Sequence, residues 1–143
     1  MSKNKVTFLL VEDDDVDVMI LKRSFKRAGI PSPIVVARDG VEALEILRGQ
    51  NGQGPLPKPH IVLLDLNMPR MNGIEFLDSI RNDAELAPTV VFVLTTSSDE
   101  HDKRKAYERN IAGYLVKKPK GSDLTEDIEM LGLYSRTVEF LGV

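Results

Sequence analysis

The stretch Ile61-Val-Leu-Leu-Asp65-Leu-Asn67-Met68-Pro69-Arg-Met-Asn72-Gly73 decides how the rest of the chain is read. Its first half is a continuous apolar run of strand length. It is too short for a helix and lacks the alternation of a half-exposed strand, so it predicts a buried central strand. The run ends on a carboxylate, Asp65, after which Asn67, Met68-Pro69 and Gly73 break the extended conformation. Asp65 is thereby assigned to the carboxyl end of a parallel strand, the side of an open α/β sheet where ligands collect.

The flanking sequence repeats this grammar. Val6 to Val11 is a second apolar, β-rich run, and it too delivers acids at its end, Glu12-Asp13-Asp14-Asp15. Asp14 or Asp15 can cap a helix in which Val18, Leu21, Phe25 and Ala28 recur at helical spacing until Gly29 and Pro31 stop it. Lys22, Arg23, Lys26 and Arg27 make its outer face basic, which reads first as a solvated surface. Ile34 to Ala37 predicts a short strand, and Asp39 caps a helix with Ala43, Leu44 and Leu47 inside. Gln50 to Pro59, rich in Pro and Gly, predicts an exposed irregular loop. Beyond Asp65, Asn72 caps a helix carrying Ile74, Leu77 and Ile80, and Thr89 to Leu94 forms a strand ending in Thr95-Thr96-Ser97-Ser98. Asp99 begins a charged helix to about Asn110. Gly113-Tyr114-Leu-Val-Lys117-Lys118-Pro119 is a short strand finishing on lysines. A last helix is expected from roughly Ser122 to Phe140, capped within Ser122 to Thr125, with Ile128, Leu131, Val138 and Leu141 packing inward.

Five strands alternating with five helices predict an α/β fold: a doubly wound, five-stranded parallel sheet with order 2-1-3-4-5, a flavodoxin-like three-layer sandwich. The 143 residues fit one domain, 1–143, with no separate output domain. A net charge of −3, evenly spread, argues against nucleic acid as a partner. The absence of cysteine excludes disulfides, thiolate metal sites and thiol catalysis, and two separated histidines, His60 and His101, argue against zinc. With no signal-peptide core and no apolar stretch of membrane-spanning length, the expected location is cytoplasmic and the membrane is not a partner.

In such a sheet the ends of the strands share one rim, so Glu12, Asp13, Asp65, Thr95 and Lys117 or Lys118 should share a pocket. Three carboxylates together repel unless a cation lies among them, and all-oxygen ligation points to magnesium, Mg2+, which retains several waters. A magnesium ion beside Asp65 would leave one carboxylate oxygen free as a nucleophile toward phosphorus, while Thr95 and the lysine bond the phosphoryl oxygens. Taken singly, each residue has a plainer explanation. An Asp after a strand more often caps a helix, and a terminal Lys usually points into water. Their joint placement at successive strand ends outweighs those explanations.

Leu-Val-Glu12-Asp13, Leu-Asp65-Leu-Asn-Met-Pro-Arg-Met-Asn-Gly73, Leu-Thr95-Thr96 and Gly113-Tyr114-Leu-Val-Lys117, spread over nearly the whole chain, resemble the receiver domain of two-component response regulators. The resemblance implies that Asp65 accepts a phosphoryl group from a sensor histidine kinase or a histidine phosphotransfer protein. It also implies that Glu12, Asp13, Asp65 and the Asn67 backbone carbonyl assist magnesium, and that Lys117 pairs with the phosphoryl oxygens. Thr95 and Tyr114 would be the switch residues. The protein would then be a stand-alone phosphorylation switch acting through altered protein contacts, not a dedicated enzyme. The chain departs from the family at Lys117-Lys118-Pro119. Spacing from Thr95 selects Lys117, the Lys-Pro dipeptide selects Lys118, and neighbouring strand residues face opposite sides. Lys117 is preferred.

Two other functions fit the residues less well. A haloacid dehalogenase-like phosphatase would need an acid two residues after the nucleophile, where this chain has Asn67. A degenerate receiver or flavodoxin-like scaffold would not retain the full acid set, and no phosphate-binding loop follows the first strand. The long final helix and the loop before strand three resemble stand-alone receivers paired with bacterial phytochromes. Apolar Ile128, Leu131, Tyr134, Val138 and Phe140 exceed one buried stripe, which predicts a homodimer through the Asp99–Asn110 helix, the Tyr114 strand and the C-terminal helix.

Overall fold

The computed structural model describes residues 5–118 and 124–141. Strands and helices alternate as β1 (Thr7–Val11), α1 (Asp15–Arg27), β2 (Ile34–Ala37), α2 (Gly40–Leu47), β3 (His60–Leu64), α3 (Gly73–Arg81), β4 (Val90–Thr95), α4 (Glu100–Tyr107), β5 (Gly113–Val116) and α5 (Thr125–Thr137). All strand pairs are parallel and the order is β2-β1-β3-β4-β5. This is the predicted doubly wound sheet.

The two-residue period of a strand sorts the core into two layers. Leu9 and Val11 of β1, Val62 and Leu64 of β3, and Val91 and Val93 of β4 face α2, α3 and Ala106 of α4. Phe8, Leu10, Ile61, Leu63, Phe92 and Leu94 point the other way, against Val18, Leu21 and Phe25 of α1 and Ile128 and Leu131 of α5. Because both faces are covered, β3 is buried from Ile61 to Leu64 and reads as an unbroken apolar run. Each fully buried Leu, Ile or Phe contributes about 1.5–3 kcal/mol of transfer free energy. The rigid strands that carry the polar rim are thereby held in place.

The helix starts follow the capping chemistry read from the chain. Asp14 accepts from the N–H groups of Val16 and Asp17, and Asp39 from that of Glu42. Asn72 and Glu75 form a reciprocal capping box. The last helix corrects the sequence reading. It runs Thr125–Thr137, and its N-cap, Leu124, makes no side-chain capping bond because its side chain is apolar and buried. Ser122, the expected start, lies outside the described residues. Val138 is an extended C-cap, and Leu141 is 79% exposed, so neither packs inward as expected. The loop before β3 is irregular and largely exposed, yet Leu56 enters the core and the Pro59 carbonyl accepts from Thr7 N–H at 3.0 Å. Gly132, read as a weak point in α5, has a packing reason. A Cβ there would come within 2.7 Å of Ile30 Cδ1.

Candidate functional site

Parallel register brings the site together. Val11 is level with Leu64, and Thr95 with Val116, so the residues that follow these strands emerge on one rim. The ladder also runs one residue past the strands. Glu12 N–H donates to Ala37 O at 2.9 Å, Asp65 N–H to Val11 O at 3.1 Å and Lys117 N–H to Thr95 O at 2.7 Å. Three charged side chains therefore start from a backbone as fixed as the sheet itself.

These side chains form one ionic cluster. Lys117 Nζ donates to Glu12 Oε1 at 2.5 Å and to Asp17 Oδ2 at 3.0 Å, and stands 3.8 Å from Asp65 Oδ2. The second Glu12 oxygen accepts from Asp14 N–H at 3.2 Å. Glu12 is only 2% exposed, Asp65 8%, while Asp13 lies open to solvent. Of the two lysines, Lys117 reaches the acids and Lys118 is exposed, which matches the spacing from Thr95 and not the Lys-Pro dipeptide. Asp17, the second partner of Lys117, was missed in the sequence, where it reads as an ordinary acid in the first turn of a helix.

Ligand oxygens of Glu12, Asp13 and Asp65 all lie within 4.8 Å of one another. Burial, together with the Asp65 charge, pushes the Glu12 carboxyl up to about 7 against the opposing pull of Lys117. Burial would lower the Lys117 ammonium, but the Glu12 hydrogen bond and the charges of Asp65 and Glu12 outweigh it and raise its affinity for the proton. One lysine among this many acids leaves an excess of negative charge. That excess would favour a divalent cation, and the oxygen-only donor set suits a hard one. Asn67 is at the rim, with its N–H donating to Asp65 Oδ1 at 3.2 Å.

Thr95 is fully buried, and its Oγ1 accepts from Ser97 N–H at 3.5 Å. Tyr114 packs against the α2–α3–α4 layer and donates its hydroxyl to Ser97 O at 2.9 Å. Ser97 Oγ in turn donates to Asp102 Oδ2 of α4 at 2.6 Å. Ser97 is thus the node joining Thr95, Tyr114 and α4. Sequence reading passed over it as one residue of a polar strand end. The structure brings Glu12, Asp13, Asp65, Asn67 and Lys117 into one cluster and sets Thr95 and Tyr114 in a linked network beside it.

Comparison with known proteins places the chain in a family. The family profile of the response regulator receiver domain matches residues 8–129. The chain is 39% identical over 126 residues to the Probable methanogenesis regulatory protein FilR2 of Methanothrix harundinacea, covering 88% of this chain and 81% of that one. It is 35% identical over 121 residues to the response regulator Rcp1 of a Synechocystis species, covering 85% and 82%. The Mn(2+)-bound crystal structure of Rcp1 superposes with a TM-score of 0.82 at 33% identity, covering 96% of this chain and 99% of that one. The phosphorylated cyanobacterial phytochrome response regulator RcpA gives 0.86 at 28% identity, covering 98% and 100%.

Proposed function

The chain belongs to the response regulator receiver domain family and is a phosphorylation-dependent signalling switch, and from that premise we propose that Asp65 is its phosphoacceptor. The observation that carries the assignment is the rim itself, where Asp65 has Lys117 Nζ at 3.8 Å and two further carboxylates alongside. In the reaction, an Asp65 carboxylate oxygen forms a bond to phosphorus as the bond from phosphorus to the donor's imidazole nitrogen breaks, its electron pair leaving with the imidazole. Lys117 supplies positive charge for the phosphoryl oxygens, and Thr95 a hydroxyl for one of them.

A divalent cation fits the donor set, and magnesium is the ion proposed. Glu12, Asp13, Asp65 and the Asn67 backbone carbonyl would hold it, and it would neutralise charge between the carboxylate and the incoming phosphoryl group. Tyr114 and Thr95 are proposed as the switch pair, supported by their shared contact with Ser97. The protein's chemistry is confined to its own phosphorylation and slow dephosphorylation.

Family membership makes a sensor histidine kinase or a histidine phosphotransfer protein the donor. The likeness to RcpA favours a bacterial phytochrome as that kinase. The receiver domain is read as working in the cytoplasm through protein contacts. Among the described residues no helix is long and apolar enough to cross a membrane. Exposed Tyr107 of α4, Val116 of β5, and Met130 and Leu133 of α5 support a homodimer through that face.

Incubation with magnesium and a small acyl phosphate, followed by intact-mass measurement, tests the central assignment. One phosphoryl adduct is expected in the wild type and none in Asp65→Asn. An equal adduct in the variant, or no adduct in the wild type, overturns it.

A further inference from the structure

The loop from Leu66 to Asn72 carries Asn67 from the acidic rim to the start of α3, and it is held by more than its own ends. Its close is a tight one: Gly73 N–H donates to Leu66 O at 3.0 Å, and a Cβ on Gly73 would lie 2.7 Å from Leu66 Cα and 2.8 Å from Asp65 O. Midway, Arg70 adopts φ +62°, a left-handed conformation that a long L-side chain disfavours. From there its Nε donates to Asp39 Oδ2 at 2.7 Å. Asp39 is buried, and its other oxygen is already engaged by Glu42 N–H as the cap of α2. Next to it, Met71 packs against Gly40 so closely that a Cβ on Gly40 would meet Met71 Sδ at 2.9 Å. A side chain, a strained backbone and a glycine therefore converge on one contact between the loop and the N-terminus of α2.

We infer that Arg70 is a positioning residue: its bond to Asp39 latches the β3–α3 loop onto α2 and so presets Asn67 and Asp65 for the divalent cation. The inference rests on the reading of the rim as a cation site. The physical reason is entropic. A loop tied at both ends and in the middle offers its backbone groups without first being ordered by the ion, and loss of the tie transfers that ordering cost to the binding step. Partners that hydrogen-bond metal ligands directly are worth about 10–100-fold in affinity. Arg70 acts one step further out through the backbone, so a loss of about five-fold is expected.

Two single variants separate the latch from its alternatives. Arg70→Gly removes the side chain while relieving the left-handed strain, so thermal stability should hold or rise. Asp39→Asn keeps a capping oxygen for α2 but discards the charge that holds Arg70. Long-range electrostatics alone would tighten cation binding in the first variant, which loses a positive charge, and weaken it in the second. The latch weakens both. The assay is a Mn2+ titration followed by electron paramagnetic resonance, with thermal melts of the same samples and amide hydrogen exchange at Asn67 and Met71.

Both variants should bind Mn2+ about five-fold more weakly with faster exchange in the loop, and the double variant should be no worse than Arg70→Gly alone, since the two residues act through one contact. Unchanged or tighter binding in Arg70→Gly, or additive losses in the double variant, overturns the latch while leaving the cation site standing. Failure of the wild type to bind Mn2+ removes the site, and the latch with it.

Discussion

Replacing Lys117 by Met keeps an unbranched stem of similar length and removes one charge from the middle of the rim. Glu12 at 2.5 Å and Asp17 at 3.0 Å lose their donor, and Asp65 at 3.8 Å loses a neighbouring cation. Stranding one member of a buried ion pair costs about 3–5 kcal/mol, but Glu12 has an escape through protonation, which lowers the expected cost to about 2–3 kcal/mol near pH 8. Its folded-state carboxyl already lies at about 7 against an ordinary 4.5, so between these values the folded chain holds more protons than the unfolded one. The stability contributed by this group is therefore complete below the unfolded value and is lost as pH rises through the folded one. Without the lysine the folded value moves higher still, and the loss extends further into the alkaline range. The variant should fall short of the wild type most at high pH and least in mild acid.

Urea unfolding in the presence of a chelator, at about pH 5.5, 7 and 8, reads this directly. At a slope of about 2 kcal/mol per molar, the midpoint near pH 8 should drop by about 1–1.5 M. Magnesium added in excess should restore more stability to the variant than it adds to the wild type, since a cation would then replace the missing charge. A deficit that is the same at every pH, or below about 0.5 kcal/mol near pH 8, refutes the view that Lys117 neutralises Glu12.

Two further outcomes follow from backbone geometry. Gly73→Ala puts a methyl group against Leu66 Cα and Asp65 O, backbone atoms that cannot swing aside; overpacking of this kind costs about 1–3 kcal/mol. Labelling by acyl phosphate should slow as the Asp65 backbone shifts, and an alanine variant as stable and as quickly labelled as the wild type would contradict this. Arg81 spreads one guanidinium over four carbonyls, those of Arg109 (2.7 Å), Ala87 (2.7 Å), Thr89 (2.8 Å) and Asn110 (3.0 Å). It ties the end of α3 to the segments following α4 and preceding β4. Arg81→Met should cost about 2–3 kcal/mol in urea unfolding, less than four separate charged hydrogen bonds because the carbonyls regain water. A cost under about 0.5 kcal/mol would mean that water substitutes fully.

The chain by itself determined the sheet, its order and the rim on which the acids gather. The reason is that a strand buried on both faces must be apolar throughout, so an acid that ends such a strand, as Asp65 ends β3, stands out against its neighbours. Capping is equally local, and Asp14, Asp39, Asn72 and Asp99 could be read as helix starts because each bonds N–H groups within three residues. The α5 start escaped the same reading because Leu124 contributes burial and no capping bond, and burial depends on what lies across the fold. Only the tertiary structure decided which lysine meets the acids. The ladder bond from Lys117 to Thr95 fixes its direction, and the choice between adjacent residues is a matter of register that no local pattern records. It also supplied Asp17, Ser97 and the Arg70–Asp39 bond, whose partners are separated in sequence by many residues or by a turn of irregular loop. Hydrophobic period is a property of one element, whereas an ion pair is a property of two, and only folding brings the two together.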